Sequence, residues 1–257
     1  MNPILLLNRN EIKAEAKSLL QSAKVPPIRM TLLLLIIPQA LNLVNGLAGG
    51  FAWAQEADGK PYLPFLFLTI ILGLMGLILS AGYNCYCLGI QNRKEMPYST
   101  LFEGFSFAGK VIGLTLIQSL LVSLWSMLFI FPGFIAAYRY SFAIWNLCQD
   151  PKMGVMQALG MSAQQTKGYK MQLFQLHLSF LPLLLPVALL EALFSSYVLP
   201  LIPGEAPAFL AEFGFSLLVG FFMLYIMPYL SLSVCGFFLR ATAPRAEAPQ
   251  NPPLPHF

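Results

Sequence analysis

Apolar runs separated by short polar and basic breaks dominate the chain, over residues 30–53, 63–90, 111–131, 134–148, 171–199 and 209–239. About 20 apolar residues in a helix cross a hydrocarbon core of about 30 Å. The pattern therefore predicts an all-α fold, a polytopic membrane helical bundle with six transmembrane spans. The fourth run differs in length, since residues 134–148 make only about 22 Å of helix. That shortness predicts a recessed outer tip at Phe131-Pro132-Gly133, or a bilayer that thins locally.

Between the runs lie short segments of another kind. Residues 8–24 place Ile12, Ala16, Leu19, Leu20 and Ala23 at helical spacing, with Lys13, Lys17 and Lys24 elsewhere around the wheel. Asn8 followed by Glu11 reads as a capping-box start, and Val25-Pro26-Pro27 as the stop. A basic amphipathic helix of this kind is expected to lie on an anionic membrane surface. Residues 98–109 form an aromatic-rich stretch. Asp150-Pro151 reads as the N-cap and first turn of a helix over 151–166 that ends near Lys167 and Lys170. Each short segment precedes two spans, and the return limbs carry Tyr83, Tyr138 and Tyr229 at similar places, which suggests three hairpin repeats with a collar of interfacial helices. The organisation expected is an arm over 1–27, a membrane domain over 28–242 and a proline-rich, disordered tail over 243–257.

Composition agrees with the pattern. Hydrophobic residues make up 57% of the chain and charged residues 10%, against about a quarter charged in soluble proteins, and the mean hydropathy is +0.69. No polar stretch is long enough for a separate catalytic or nucleic-acid-binding domain, so no nucleic acid is expected as a partner. Charge then sets an orientation. On the predicted topology every Lys and Arg except Lys60 and Arg139 falls on one side, which the positive-inside rule makes cytoplasmic. Both termini are expected there, in a bacterial cytoplasmic (inner) membrane. Residues 30–53 are too long for a signal-peptide core and read as a retained anchor. Cys85, Cys87, Cys148 and Cys235 fall toward the cytoplasmic helix ends, where reduced, packed thiols are expected.

Candidate chemistry is sparse. Residues 104–110, GFSFAGK, have the spacing of a phosphate-binding loop, but Val111 stands where Ser or Thr would hold magnesium. His177 has no second ligand at metal spacing and His256 lies in the tail, so no metal and no cofactor are expected. No Ser, His and acid fall at matching depth. Arg139 is the most informative charge, because an arginine near the bilayer centre costs about 2.5–3.5 kcal/mol on insertion scales. Counting from the outer ends of their spans places Arg139 and Glu191 at similar depth and predicts a pair. Asn146, Tyr138 and His177 complete a candidate polar membrane site, and Lys13, Lys17, Lys24, Lys167 and Lys170 form an interfacial basic set. Trp53, Tyr62 and Tyr197 fit interfacial aromatic belts.

The order FPGFIAAYRYSFAIWNLCQDP, ALGMSAQQTKGYKMQLFQLHLSFLPLLL and MPYLSLSVCGFFLRA resembles a bacterial integral-membrane family catalogued as domain of unknown function nine-seven-five. The matching positions include Pro132, Gly133, Tyr138, Asp150, Pro151, Ser162, Lys167, Lys170, Phe180 and Tyr229, and the likeness runs over most of the chain after Tyr98. Phe131 stands where that family has Ile, and Leu181-Pro182 where it commonly has Trp. The resemblance implies fold and location but no activity. A more distant likeness is to the membrane region of some glycerophosphodiester phosphodiesterases, without their catalytic domain. The expectation is a non-catalytic protein that organises membrane lipids, a membrane-protein partner or a homo-oligomer. The alternative is a transporter or exporter of a small or lipid-like solute, which a cavity lined by Arg139, Glu191 and Asn146 would favour.

Overall fold

The computed structural model describes residues 7–53 and 63–243, with side chains left out at 41, 42, 44–53, 63–65, 130, 205 and 206. Helix α1 (Arg9–Ser22) turns by 83° at Val25-Pro26-Pro27 into α2 (Pro27–Trp53). Then come α3 (Leu63–Gln91), a 3-10 helix (Tyr98–Phe107), α4 (Ala108–Leu128), α5 (Ile130–Tyr140), α6 (Ala143–Gln149), α7 (Val155–Gln165), α8 (Lys170–Leu178), α9 (Leu181–Leu193), a π-helical turn (Phe194–Val198) and α10 (Glu205–Thr242). Among the described residues there is no strand, and the fold is an all-α membrane bundle. Four helical stretches are long and apolar enough to cross a membrane, five if the bent α1–α2 pair counts as one span. The expected fourth span is broken: α5 has 11 residues, about 16 Å of helix, and α6 follows after a two-residue break. The acidic turn at 56–60, Tyr62, the tail beyond 243 with His256, and the packing of Asn42, Asn45, Gly46, Gly50 and Trp53 lie outside what is described.

Burial is concentrated at one end. Tyr83, Tyr86, Phe142, Phe180, Phe237 and Phe238 are fully enclosed there with the apolar face of α1. Farther along the spans Leu116, Leu120, Leu124, Leu189, Leu193, Leu217 and Phe221 are exposed. In water that surface would drive aggregation; in a bilayer it is what lipid tails cover, because helices in lipid gain nothing by burying leucine against one another.

The core end is also the basic end. Arg240 Nη2 donates to Glu15 Oε2 at 2.9 Å, and Arg93 lies 3.8 Å from Oε1 of the same carboxylate. One acidic residue on α1 thus gathers the ends of α3 and α10. The structure corrects the expectation for α1: Ile12, Ala16 and Leu19 are at most 2% exposed because they pack on protein, chiefly on α10. Helical periodicity identifies a face that must be covered; it does not say by what. The N-cap also departs from a capping box, since Asn8 accepts from the Asn10 amide while its side-chain nitrogen donates to Glu11. The predicted start at Asp150-Pro151 is likewise corrected. Asp150 accepts from the Lys152 amide at 3.0 Å in a local turn, and α7 begins at Val155 with Gly154 as N-cap. An i to i+2 side-chain bond is the alternative that Asp offers a backbone in place of a helix.

The short helices are seated on the ends of the longer ones. The 3-10 helix packs on α3, α7 on α5 and α6, and α1 on α10. The 3-10 helix and α7 therefore sit against the return limb of the hairpin before them, α7 touching α4 as well, and α1 sits on the last helix.

Candidate functional site

Two breaks in helical chain organise the polar chemistry of the basic end. A break frees backbone groups that must find partners once buried. At the α5–α6 break, Ser162 of α7 supplies both kinds of bond: its hydroxyl donates to the Arg139 carbonyl at 2.9 Å and accepts from the Phe142 amide at 3.1 Å. Thr166 Oγ1 lies 3.2 Å from the same carbonyl. Below the break, Asn146 and Gln165 exchange two amide hydrogen bonds at 2.9 and 3.1 Å. Asn146 is thereby assigned to holding α6 on α7.

The second break lies at Ser179-Phe180, between α8 and α9. Pro182 brings no amide to the first turn of α9, and the amide of Leu183 bonds back to Phe180, so the Ser179 carbonyl is left over. Lys13 Nζ donates to it at 3.1 Å and lies 4.3 Å from the centre of the Phe180 ring. Burial, and next the Arg9 charge, hold the Lys13 ammonium below its ordinary pKa. Lys13 was expected to face lipid headgroups; the structure turns it inward. Lys13→Met should therefore lower stability by about 1–3 kcal/mol, the cost of stranding a carbonyl that was paired with a charged donor. Equal thermal stability of variant and parent in detergent would show that Ser179 finds another partner. Lys17 remains exposed, and Lys24 pairs at 2.6 Å with Glu95 in a wholly surface ion pair.

The α5–α6 break places Arg139 beside α8. Tyr138 makes edge contacts with Phe174 and His177, at centroid distances of 6.0 and 5.7 Å, and one turn before Phe174 on that helix is Lys170. Burial, followed by the Arg139 guanidinium, lowers the Lys170 pKa. His177 is fixed through Nδ1 to the Leu173 carbonyl at 2.9 Å. Lys167 projects from the turn before α8, where Gly168 supplies a φ of 90°. Exposed Ile135, Met171 and Phe174 surround the cluster. Arg139, Tyr138, His177, Lys167 and Lys170 thus share one patch, and among the described residues none of its three cations forms an ion pair.

Glu191 is elsewhere, and the Arg139–Glu191 pair is not formed. It lies ten residues beyond Leu181, about 15 Å along α9 from the break that Lys13 reaches. Depth counting failed because it assumed straight spans, and both limbs bend. Glu191 instead faces a cavity of about 270 Å³ between α2, α9 and α10, together with Gln39, Ser195, Glu212 and Ser216. Glu212 was missed in the sequence. The available signal was that Glu191 and Glu212 are the only carboxylates inside the last two apolar runs. Neither Arg139 nor Asn146 lines the cavity that Glu191 faces, so the three residues expected to line one cavity are not together there. Cys85, Cys87 and Cys235 are buried free thiols and Cys148 is half-buried. Among the described residues no cluster of three or more His, Cys, Asp or Glu is arranged to hold a metal ion.

Residues 129–244 match the family described as Protein of unknown function (DUF975). That segment holds both breaks, the basic patch and the α9–α10 pair, and the kinship expected from the motifs is shown for it. No curated protein and no solved structure matches the chain, so the more distant likeness to glycerophosphodiester phosphodiesterases has no support.

Proposed function

We propose that this is a non-catalytic membrane protein that organises anionic lipids at its basic end. The observation that carries the reading is the patch of Arg139, Lys167 and Lys170. Three cations without a carboxylate stand among exposed apolar and aromatic side chains, at the end where the short helices are seated. Guanidinium and ammonium groups set side by side repel each other, and a lipid phosphate between them relieves that repulsion with charge-assisted hydrogen bonds. Ile135, Met171 and Phe174 would meet the first carbons of the acyl chains, and the Tyr138 ring, half-buried beside them, suits the headgroup boundary. The positive-inside rule makes this end cytoplasmic, and the cytoplasmic leaflet of a bacterial inner membrane is the anionic surface such a patch would meet.

The test uses the full chain in nanodiscs that contain phosphatidylglycerol and phosphatidylcholine, with retained lipid read by native mass spectrometry. The parent should retain phosphatidylglycerol preferentially. At about 1 kcal/mol per basic residue near an anionic surface, Arg139→Gln with Lys170→Gln should reduce the preference about tenfold or more. Lys24→Gln, which removes a surface cation already paired with Glu95, should leave it nearly unchanged. A folded double variant with the parent's preference would sink the reading.

A further inference from the structure

A groove of about 590 Å³ opens between α9 and α10, lined by Ile28, Pro182, Pro186, Leu190, Phe221 and Tyr225. Leu190, Phe221 and Tyr225 are exposed, so its open side meets the bilayer and not the protein core. Pro182 and Pro186, one turn apart on α9, present compact rings where longer side chains would close the gap to α10. The volume falls in the range of roughly 300–1,000 Å³ usual for small-molecule sites.

A chain of contacts leads from this groove to a cation. Ring centroids lie 6.0 Å apart for Tyr225 and Tyr229 and 4.9 Å apart for Tyr229 and Phe180, and Lys13 Nζ lies 4.3 Å from the centre of the Phe180 ring. Tyr225, Tyr229, Leu232 and Gly236 follow one another at helical spacing along one face of α10. At the last of them sits α1, since a Cβ added to Gly236 would meet Ile12 at 3.7 Å. The face of α10 that lines the groove is thus the face that seats α1, three turns further on. The same short helix joins the other two walls. Lys13 is bonded to the Ser179 carbonyl, three residues before Pro182, and the turn after α1 enters α2 at Pro27, one residue before Ile28. Helix α1 therefore crosses the basic end of the groove as a sill.

The sill carries unspent positive charge. Ile12, Ala16, Leu19 and Leu20 face the protein, and Arg9, Lys13 and Lys17, four residues apart, form the adjoining stripe. Arg9 and Lys17 are exposed, and among the described residues none of the three forms an ion pair. The carboxylates of α1 are engaged elsewhere, Glu11 with Asn8 and Glu15 with Arg240. An ammonium has three N–H groups, and Ser179 takes one from Lys13. Arg9 and Lys13 also repel each other, a cost that an anion beside both relieves.

We infer that the α9–α10 groove seats one acyl chain of an anionic phospholipid, whose phosphate rests on the Arg9, Lys13 and Lys17 stripe of α1. The chain enters sideways from the bilayer, and the second chain of the same lipid stays among its neighbours. The assignment rests on the reading that this end meets an anionic leaflet, but it shares no residue with the Arg139 patch, so the two sites can fail separately.

The test places the full chain in phosphatidylcholine nanodiscs with a trace of phosphatidylglycerol that carries a diazirine in one acyl chain. Phosphatidylcholine bearing the same label is the reference. After irradiation the phosphatidylglycerol label should fall on residues 182–190 and 221–226 about tenfold or more above the reference, at about 1 kcal/mol per basic residue. Arg9→Gln with Lys17→Gln should remove most of that excess, and Leu190→Trp should reduce labelling of the groove by both lipids. Arg139→Gln with Lys170→Gln should leave the excess intact, whatever that variant does to overall lipid preference. Salt gives a readout without substitution: about 1 M sodium chloride, which screens charges within about 3 Å, should shrink the excess. Equal labelling by the two lipids would overturn the assignment. So would labels spread evenly over Leu116, Leu120 and Leu124, an excess that survives in the folded Arg9→Gln, Lys17→Gln protein or in high salt, or one that is lost with the Arg139 patch.

Discussion

Gly82→Val should unseat the 3-10 helix Tyr98–Phe107 from α3 and cost about 3 kcal/mol or more, at or above the upper end for overpacked sites. A side chain at Gly82 would overlap the carbonyl of Leu101, and one at Gly104 would overlap the carbonyl of Ile78. The two glycines therefore face each other across one helix crossing, each receiving the other element's backbone. Backbone cannot swing aside as a flexible side chain does, so relief requires the helices to separate. Separation would uncover Leu101, which is fully buried, together with the packing around Phe107. Gly104→Val should behave alike. Gly76→Ala, on the same α3 with nothing within 4 Å of the added carbon, should be neutral or slightly stabilising, since alanine favours a helix more than glycine. The check is thermal unfolding of the detergent-solubilised protein with the monodisperse fraction recovered. A Gly82→Val protein as stable as Gly76→Ala would show that the crossing is looser than the structure has it.

The second large effect is expected at Ser162. Its hydroxyl joins the two loose ends of the α5–α6 break, and Phe142, whose amide it accepts from, is fully buried. Ser162→Ala leaves that amide unpaired and should cost about 1–3 kcal/mol, the penalty for stranding a buried polar group. The Arg139 carbonyl keeps Thr166 in the single variant. Ser162→Ala combined with Thr166→Val strands both groups and should cost about twice as much, with the two losses coupled because they serve one break. Amide exchange over residues 140–146 should accelerate in the single variant and more so in the double. If exchange there is unchanged, the break is satisfied by some other group and Ser162 is only packing.

The predictions share a cause that bears on what a sequence reveals. Ile12, Ala16, Leu19 and Leu20 mark the buried face of α1 by spacing alone, and that face is the one found buried. Its partner was read wrongly, because an apolar stripe is the same stripe whether lipid or α10 covers it. Asp150-Pro151 carried a good helix-start signal and formed a local turn instead, with the Pro151 carbonyl accepting from Lys110 at 2.6 Å. Arg139 was singled out as a charge in need of a partner. The α5–α6 break brings it toward Lys170, so that counting residues from the outer tip assigned it the wrong neighbour. Glu212 went unnoticed although it is, with Glu191, one of two carboxylates inside the last two apolar runs.

What the sequence determined by itself was the solvent: 57% hydrophobic residues in long runs commit this chain to a membrane, and helical periodicity commits each short segment to one covered face. Transfer from water to lipid adds up residue by residue, so no knowledge of neighbours is needed. The tertiary structure decided which polar groups meet. Lys13 and Ser179 are 166 residues apart, and Glu15 and Arg240 are 225 apart; both contacts depend on where helices break and how the short helices dock. Hydrogen bonds and charges act over a few ångströms. A bend of two residues therefore reassigns every partner beyond it, while the hydrophobic total stays the same.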